Sequence, residues 1–233
     1  MSTPLPPLVT EEHEGFVVVR DDLLAGGTKV RAMLPLISAQ ASDEIVYASP
    51  AQGYAQVALA IVCGMLGKRA TIFTAKRKKL HPLTLKAKDA GAKIVMVPHG
   101  YLNVVQSRAR AYCEKVGAHY VPFGVEHDSA MNGISAAARS LPFEPKEVWT
   151  VAGSGVLTRS LQAAWPSAEF HAVVVGKKDS NTGRAARYLH PFAFEKDAKL
   201  LPPFPSARNY DAKCWEYMKL HASKGALFWN VGA

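Results

Sequence analysis

Several features that define common protein classes are missing from this sequence of 233 residues. It has no run of 18 or more apolar residues without a charge, so it predicts no membrane-spanning helix. Its first 14 residues are rich in proline and acidic side chains, and they lack the basic and apolar regions of a secretory signal. These absences predict a soluble, cytoplasmic protein.

Cysteine is also scarce. The three cysteines, Cys63, Cys113 and Cys214, are far apart and stand in apolar or helical sequence. Their odd number and wide spacing match neither a disulfide framework nor a Cys-x-x-Cys metal site. We therefore expect reduced, mostly buried thiols and no metal site.

Acidic residues are absent from a long internal window. Between Glu44 and Asp89 the sequence has none, and its formal net charge is +9. The basic residues of this window are Lys68, Arg69, Lys76, Arg77, Lys78, Lys79, Lys86 and Lys88. Such a block fits either a solvated face or a surface that binds a polyanion, through Lys76, Arg77, Lys78 and Lys79 above all. No zinc finger or RNP-type aromatic motif accompanies it, so contact with a nucleic acid would be to the phosphate backbone.

Strand-like and helix-like segments alternate along most of the chain. The predicted strands cover residues 15–20, 44–49, 69–74, 93–97, 119–121, 148–151, 169–175 and 226–231. Helical patterns lie between most of them, and three of these helices end at Gly67, Gly91 and Gly117. Short connections between alternating strands and helices predict an α/β fold, in which helices cover both faces of a parallel sheet.

One lysine occupies an unusual position. Gly26 and Gly27 precede Thr28, a good N-cap residue, and apolar residues recur after it at helical spacing. Lys29 therefore lies in the first turn of a helix, where the helix dipole favours an anion instead. A solvated lysine and a lysine with a function are both compatible with this position.

Two loops follow predicted strands, where open α/β sheets place ligands. Gly153-Ser154-Gly155 leads into a helix that starts with Val156, Leu157 and Thr158. Glycines and a helix N-terminus suit a phosphate, although a tight strand-to-helix turn has the same pattern. The other loop, Ser49 to Tyr54, contains Gln52, whose amide suits a ring oxygen or a carboxylate.

Together these three segments resemble the fold type II pyridoxal-phosphate enzymes, the tryptophan synthase β-like group. The segment Arg20-Asp21-Asp22-Leu23 followed by Gly26-Gly27-Thr28-Lys29 is most similar to the branch of D-cysteine desulfhydrase and aminocyclopropane-carboxylate deaminase. That branch has Gly-Gly-Asn-Lys, so Thr28 departs from its pattern. The resemblance implies a three-layer parallel-sheet fold with two interleaved lobes, a larger cofactor-binding lobe of residues 1–45 and 125–233 and a smaller lobe of residues 46–124. The resemblance is also compatible with a homodimer.

The resemblance also implies roles for individual residues. Lys29 would form the Schiff base with pyridoxal 5'-phosphate and act in catalysis. Tyr54, next to the Ser49 loop, is a candidate second acid by its position, and a core aromatic residue fits that position equally. The cofactor would be bound by Gln52, by Gly153, Ser154, Gly155, Val156, Leu157 and Thr158, and by Asn230. The substrate would meet Thr28, Ser49, Gln52 and Gly53. The residue that faces the pyridine nitrogen stays open among Asn230, Ser206 and Asp211.

The resulting hypothesis is a pyridoxal-phosphate-dependent lyase or transferase. It would act at Cα of an amino-acid-type substrate by elimination, replacement or decarboxylation. The basic block extends the hypothesis to an amino-acid adduct on a thymine base in phage DNA, which would place the protein in the host cytoplasm. The alternative is a non-catalytic carrier of pyridoxal phosphate or a nucleic-acid-binding protein.

Overall fold

The structure, a computed structural model, describes residues 5–98, 100–176 and 179–232. Within these ranges the chain divides into two compact units. The first unit is Lys29–Ala130, and the second comprises Leu5–Thr28 and residues 131–232. The division into lobes of residues 46–124 and residues 1–45 with 125–233 stays a prediction.

Strands and helices alternate as the sequence pattern predicts. The strands are β1 (Thr10–His13), β2 (Phe16–Arg20), β3 (Glu44–Ala48), β4 (Arg69–Ala75), β5 (Lys93–Val97), β6 (His119–Val121), β7 (Glu147–Ala152), β8 (Glu169–Val174), β9 (Ala186–Leu189) and β10 (Leu227–Asn230). The α-helices are α1 (Thr28–Ser38), α2 (Ala55–Met65), α3 (Pro82–Asp89), α4 (Leu102–Val116), α5 (Asp128–Arg139), α6 (Val156–Ala164) and α7 (Ala212–His221). Short 3-10 turns cover Asp21–Leu23 and Phe123–Val125.

The first unit contains a four-stranded sheet in the order β5-β4-β3-β6, and every pair in it is parallel. Helices connect the strands, and the two central strands, β3 and β4, are mostly buried. One core cluster packs α4 against the sheet. It consists of Val46, Ala48, Phe73, Val97, Val105, Ala109 and Cys113.

The second unit contains a six-stranded sheet in the order β1-β2-β10-β7-β8-β9. β1 is antiparallel to β2, and the other pairs are parallel. Its core packs α7 against the sheet and includes Phe16, Trp149, Trp215, Met218 and Phe228. All four tryptophans of the chain lie in this unit.

The predicted α/β class with parallel sheets is confirmed, with two strands that the pattern did not predict. β1 has the polar sequence Thr-Glu-Glu-His and is half exposed, so it lacks an apolar face. β9 is also largely exposed. Both lie at the edges of the sheet, where a strand needs little apolar surface.

The described ranges also bear on three other sequence features. Cys63, Cys113 and Cys214 are buried free thiols. No helix in the described ranges has the length and apolar character needed to cross a bilayer. No group of three His, Cys, Asp or Glu side chains in them is arranged to hold a metal ion.

Candidate active site

The backbone before Lys29 needs glycine. Gly27 has φ +64°, and a Cβ built on it would lie 2.1 Å from the Val231 carbonyl oxygen. The next residue, Thr28, donates its backbone N–H to the same oxygen at 3.1 Å. Gly27 and Thr28 are thus held against Val231, at a distance that excludes a side chain on residue 27.

The hydroxyl of Thr28 lies in a buried hydrogen-bond chain. Thr28 Oγ1 donates to Asp21 Oδ2 at 2.6 Å and accepts the indole N–H of Trp229 at 2.8 Å. The three residues are between 0% and 2% exposed. Because buried polar groups need partners, this chain fixes the residue next to Lys29. The hydroxyl is committed to the protein, and contact of Thr28 with a substrate stays a prediction.

Lys29 is half-buried, and its amine has one neutral partner. Nζ donates to the carbonyl oxygen of Gly124 at 3.0 Å. Desolvation by the surrounding protein lowers the pKa of the amine to about 8. About one amine in ten is then neutral at pH 7, against fewer than one in a thousand at the ordinary pKa. This position makes Lys29 a better nucleophile than a solvated lysine.

The loop after β3 is a tight turn. Ser49 is buried and its Oγ donates to the Pro50 carbonyl at 2.9 Å, as does the N–H of Gly53. A Cβ on Gly53 would lie 2.7 Å from Ser49 Oγ. Gln52 and Tyr54, the other predicted site residues here, are half-buried. The sequence correctly indicates a turn, and the roles of these residues stay predictions.

Gln56 is a polar residue of this loop that the sequence reading missed. It is fully buried in the first turn of α2, and its Nε2 donates to the carbonyls of Ala51 and Gly53, each at 2.9 Å. Its Oε1 is buried and has no hydrogen-bond partner among the described residues. The sequence signal that could have identified Gln56 is a single glutamine within an otherwise apolar helix.

The glycine turn after β7 is tightly shaped. Gly155 has φ +80°, and a Cβ on it would lie 1.8 Å from the carbonyl oxygen of Asn181. It is the N-cap of α6, and no side chain caps that helix. The N–H groups in the first turn of any α-helix have no intrahelical acceptor. Because no side chain caps α6, these N–H groups and the helix dipole favour an anion at this end.

Two side chains bind the backbone of Gly153, at the start of this turn. Tyr210 Oη accepts the N–H of Gly153 at 2.8 Å, and Ser180 Oγ donates to the Gly153 carbonyl. Thr158 is buried, and its hydroxyl pairs with that of Thr150 at 2.8 Å. Ser154 makes only a long contact of 3.5 Å with the N–H of Val156. The anion-binding capacity therefore lies in the backbone and Ser154, because the Thr158 hydroxyl is already paired.

Asn230 is the centre of a polar network in the second unit. Its Nδ2 donates to Asp22 Oδ1 at 2.7 Å and to the Pro205 carbonyl at 2.9 Å, and its Oδ1 accepts from Ser206 at 2.8 Å. Asp22 in turn accepts two hydrogen bonds from Arg20, at 2.9 and 2.8 Å. Both N–H bonds of the Asn230 amide are thus used within the protein, whereas its Oδ1 accepts one hydrogen bond and has room for a second.

Asp211, unlike Asn230, can gain or lose a proton. It is 1% exposed, and burial raises the pKa of its carboxyl well above the ordinary value, although backbone N–H groups of Val231 and Gly232 oppose the shift. Its Oδ1 has no hydrogen-bond partner among the described residues. The raised pKa favours the protonated form, in which a carboxyl group can donate a hydrogen bond. Asn230, Ser206 and Asp211 remain alternative residues for the pyridine nitrogen.

The comparisons with solved structures agree with this architecture. The chain is similar to an ACC deaminase homologue, with a TM-score of 0.80 and 15% identity over 93% of this chain and 84% of that one. It is also similar to the processed threonine deaminase isoform 2 of Solanum lycopersicum, with a TM-score of 0.68 and 14% identity over 94% and 74%. A pyridoxal 5'-phosphate-dependent aspartate racemase gives a TM-score of 0.58 and 13% identity over 96% and 74%.

The sequence itself matches no protein-family model and no curated protein. At these identities the structural likeness shows the fold alone. The chain has the fold of the fold type II pyridoxal-phosphate-dependent enzymes, the tryptophan synthase β-like fold. The fold predicted from the segments around Lys29, Ser49 and Gly153 is confirmed.

Proposed function

We propose that this protein is a pyridoxal-phosphate-dependent enzyme that acts at Cα of an amino-acid-type substrate. The observation that carries the proposal is Lys29, an amine with a pKa lowered to about 8, fixed by a Gly-Gly turn at the start of α1. Its chemistry suits covalent attachment to the aldehyde of the cofactor. The uncapped N-terminus of α6 after Gly155 suits the phosphate.

Each group has a defined task in this proposal. When bound, pyridoxal phosphate withdraws electrons from the substrate Cα. Lys29 holds the cofactor and, when its amine is free, moves a proton at Cα, for which a pKa near the working pH is effective. The backbone from Gly153 to Thr158 would bind the phosphate through N–H groups other than that of Gly153, which is bonded to Tyr210 Oη, with Ser154 Oγ as an additional donor.

The loop after β3 would bind the substrate. Ser49, Gln52 and Gly53 follow the carboxyl end of β3. Gln56 fixes this loop through hydrogen bonds from its side chain to the carbonyls of Ala51 and Gly53. We assign Gln52 to the cofactor ring or the substrate carboxylate. Tyr54, which directly precedes α2, is the proposed second acid.

Covalent attachment of the cofactor is the first test. The purified protein with added pyridoxal phosphate should be yellow, and borohydride should fix the cofactor onto the peptide that contains Lys29. Lys29→Ala should remain colourless. Lys213→Met is the matched control, since Lys213 is also buried with a lowered pKa, and its Nζ is bound to the Ala193 carbonyl at 2.8 Å. A wild-type protein that stays colourless would exclude the proposal.

A second experiment separates an enzyme from a carrier. The holoprotein is incubated with a panel of free amino acids while its visible spectrum and the release of ammonia, carbon dioxide or an α-keto acid are measured. A lyase or transferase produces a spectral change and one of these products, or a replaced side chain when a second nucleophile is supplied. Cofactor binding without turnover of any substrate would favour the non-catalytic carrier.

A nucleic-acid-borne amino acid is a second substrate class. The observation that favours it is the acid-free window from residue 45 to residue 88, which includes the exposed residues Lys76 to Lys79. An amino-acid adduct on a thymine base, as in modified phage DNA, would have to be turned out of a duplex or presented on a single strand. Adding amino-acid-modified oligonucleotides to the same panel tests this class.

A further inference from the structure

The charge of the protein is concentrated in one of its two units. Residues 29–130 contain fourteen Lys and Arg against six Asp and Glu. The remaining sequence contains fourteen against thirteen. Almost all of the net charge of +9 therefore belongs to the first unit, whereas the second unit is nearly neutral. A solvated surface does not need this asymmetry, because mixed charges give the same solubility.

The densest part of this charge follows the carboxyl end of β4, an inner strand of the parallel sheet. Lys76, Arg77, Lys78 and Lys79 directly follow β4, and all four are exposed. Lys76 donates its backbone N–H to the Val97 carbonyl at 2.7 Å, which fixes the start of the run beside the end of β5. We call these four residues the basic run.

An exposed aromatic residue follows the strand that is paired with β4. Tyr101 is 86% exposed and is the N-cap of α4, shortly after the end of β5. β4 and β5 are parallel neighbours, with Ala75 paired to Val97, so the basic run and Tyr101 emerge at the same edge of the sheet. At this exposure most of the ring surface meets solvent.

The basic run is not neutralised by the protein. In the described ranges none of its four side chains takes part in an ion pair, although cations elsewhere do. Arg69 Nη2, at the start of β4, lies 3.7 Å from Glu44 Oε2, and Arg208 Nε lies 2.9 Å from Asp197 Oδ2. With no acid between residues 45 and 88, the run projects uncompensated charge into solvent. Such charge attracts a polyanion at long range.

We propose that the basic run and Tyr101 form a binding surface for a single-stranded nucleic acid. The four cations would contact backbone phosphates, and the phenol ring would stack on an unpaired base. Stacking on aromatic side chains beside a positively charged track is how proteins bind single strands without reading their sequence. A duplex offers the phosphates but hides the base faces, and an anionic membrane offers no bases. This surface stands independently of the proposed reaction at Cα.

The experiment measures the affinity of the full-length protein for a fluorescent single-stranded oligonucleotide by anisotropy, over a range of salt concentrations. The triple variant Lys76→Gln, Lys78→Gln, Lys79→Gln is compared with Lys146→Gln, Lys196→Gln, Lys199→Gln, which removes three exposed lysines from the second unit. Each lost phosphate contact lowers the slope of log affinity against log salt by about 0.7 for single strands, so the first variant should lose about 2 from the slope. The control should keep the wild-type slope.

Tyr101→Ala provides the second arm. Loss of one stacked base should weaken binding about tenfold at fixed salt and leave the slope unchanged. Equal slopes for the two triple variants, equal affinity for a duplex or for anionic vesicles, or wild-type affinity in Tyr101→Ala would each overturn the proposal. Attachment of pyridoxal phosphate to Lys29 should be unchanged in all these variants, so failure of this proposal is distinguishable from failure of the enzymatic one.

Discussion

Replacing Thr28 with valine tests the hydrogen-bond chain beside Lys29. Valine has nearly the shape of threonine but no hydroxyl, so the change leaves the Trp229 indole N–H and one oxygen of Asp21 without their partner. Both residues are no more than 1% exposed, so water cannot replace the hydroxyl. A buried polar group that loses its partner costs roughly 1–3 kcal/mol. Asp21 retains other interactions, and we expect a total loss of about 2–4 kcal/mol.

Tryptophan fluorescence during denaturant unfolding is the assay. All four tryptophans lie in the second unit, which also contains Thr28, so the signal reports the stability of that unit. Thr28→Ser is the matched control, because it keeps the hydroxyl and loses only a methyl group, at a cost of about 1 kcal/mol. If Thr28→Val unfolds at the same denaturant concentration as Thr28→Ser, the hydrogen-bond chain does not stabilise the unit and the reasoning is wrong.

The remaining predictions concern three other groups. Gly155→Ala should destabilise the second unit by about 3 kcal/mol, because alanine adds left-handed backbone strain and a clash with the Asn181 carbonyl. Gly225→Ala is the control and should show the backbone strain alone, because Gly225 has φ +82° and no atom lies within 4 Å of its Cβ position. Attachment of pyridoxal phosphate to Lys29 should quicken as pH rises and level off above about pH 8, since the neutral amine reacts; a midpoint near 10 would contradict the lowered pKa. Folding raises the pKa of Asp211, so its contribution to stability is lost as pH rises from about 4 through the pKa of the folded state. The free energy of unfolding of Asp211→Asn should therefore increase relative to wild type over this pH range. A difference in unfolding free energy that does not change with pH would refute this prediction.

The alternation of strands and helices was predictable because apolar periodicity and helix-ending glycines are local signals. β1 was not, since its polar residues pair with β2 at an exposed edge and leave no apolar pattern. The glycine turn at Gly155 was also predictable, because a left-handed backbone next to another chain segment needs glycine. The identity of the segment that approaches it, Asn181, depends on tertiary folding.

The site was predictable only where its chemistry is local. Lys29 lies in the first turn of a helix that follows a Gly-Gly pair, and both features are visible in the sequence. The partners of Thr28 are not visible, because one of them, Trp229, is 201 residues away. Gln56 and Tyr210 were missed for the same reason: their hydrogen bonds to loop backbone depend on how the loops fold.

The central claim is that Lys29 is the amine that carries pyridoxal phosphate. The most direct measurement is peptide mapping by mass spectrometry after the protein has been incubated with pyridoxal phosphate and reduced with borohydride. The account predicts one stoichiometric phosphopyridoxyl label on Lys29 and none in Lys29→Ala. A label that is absent, or that falls on Lys213 or on the exposed lysines instead, would contradict it.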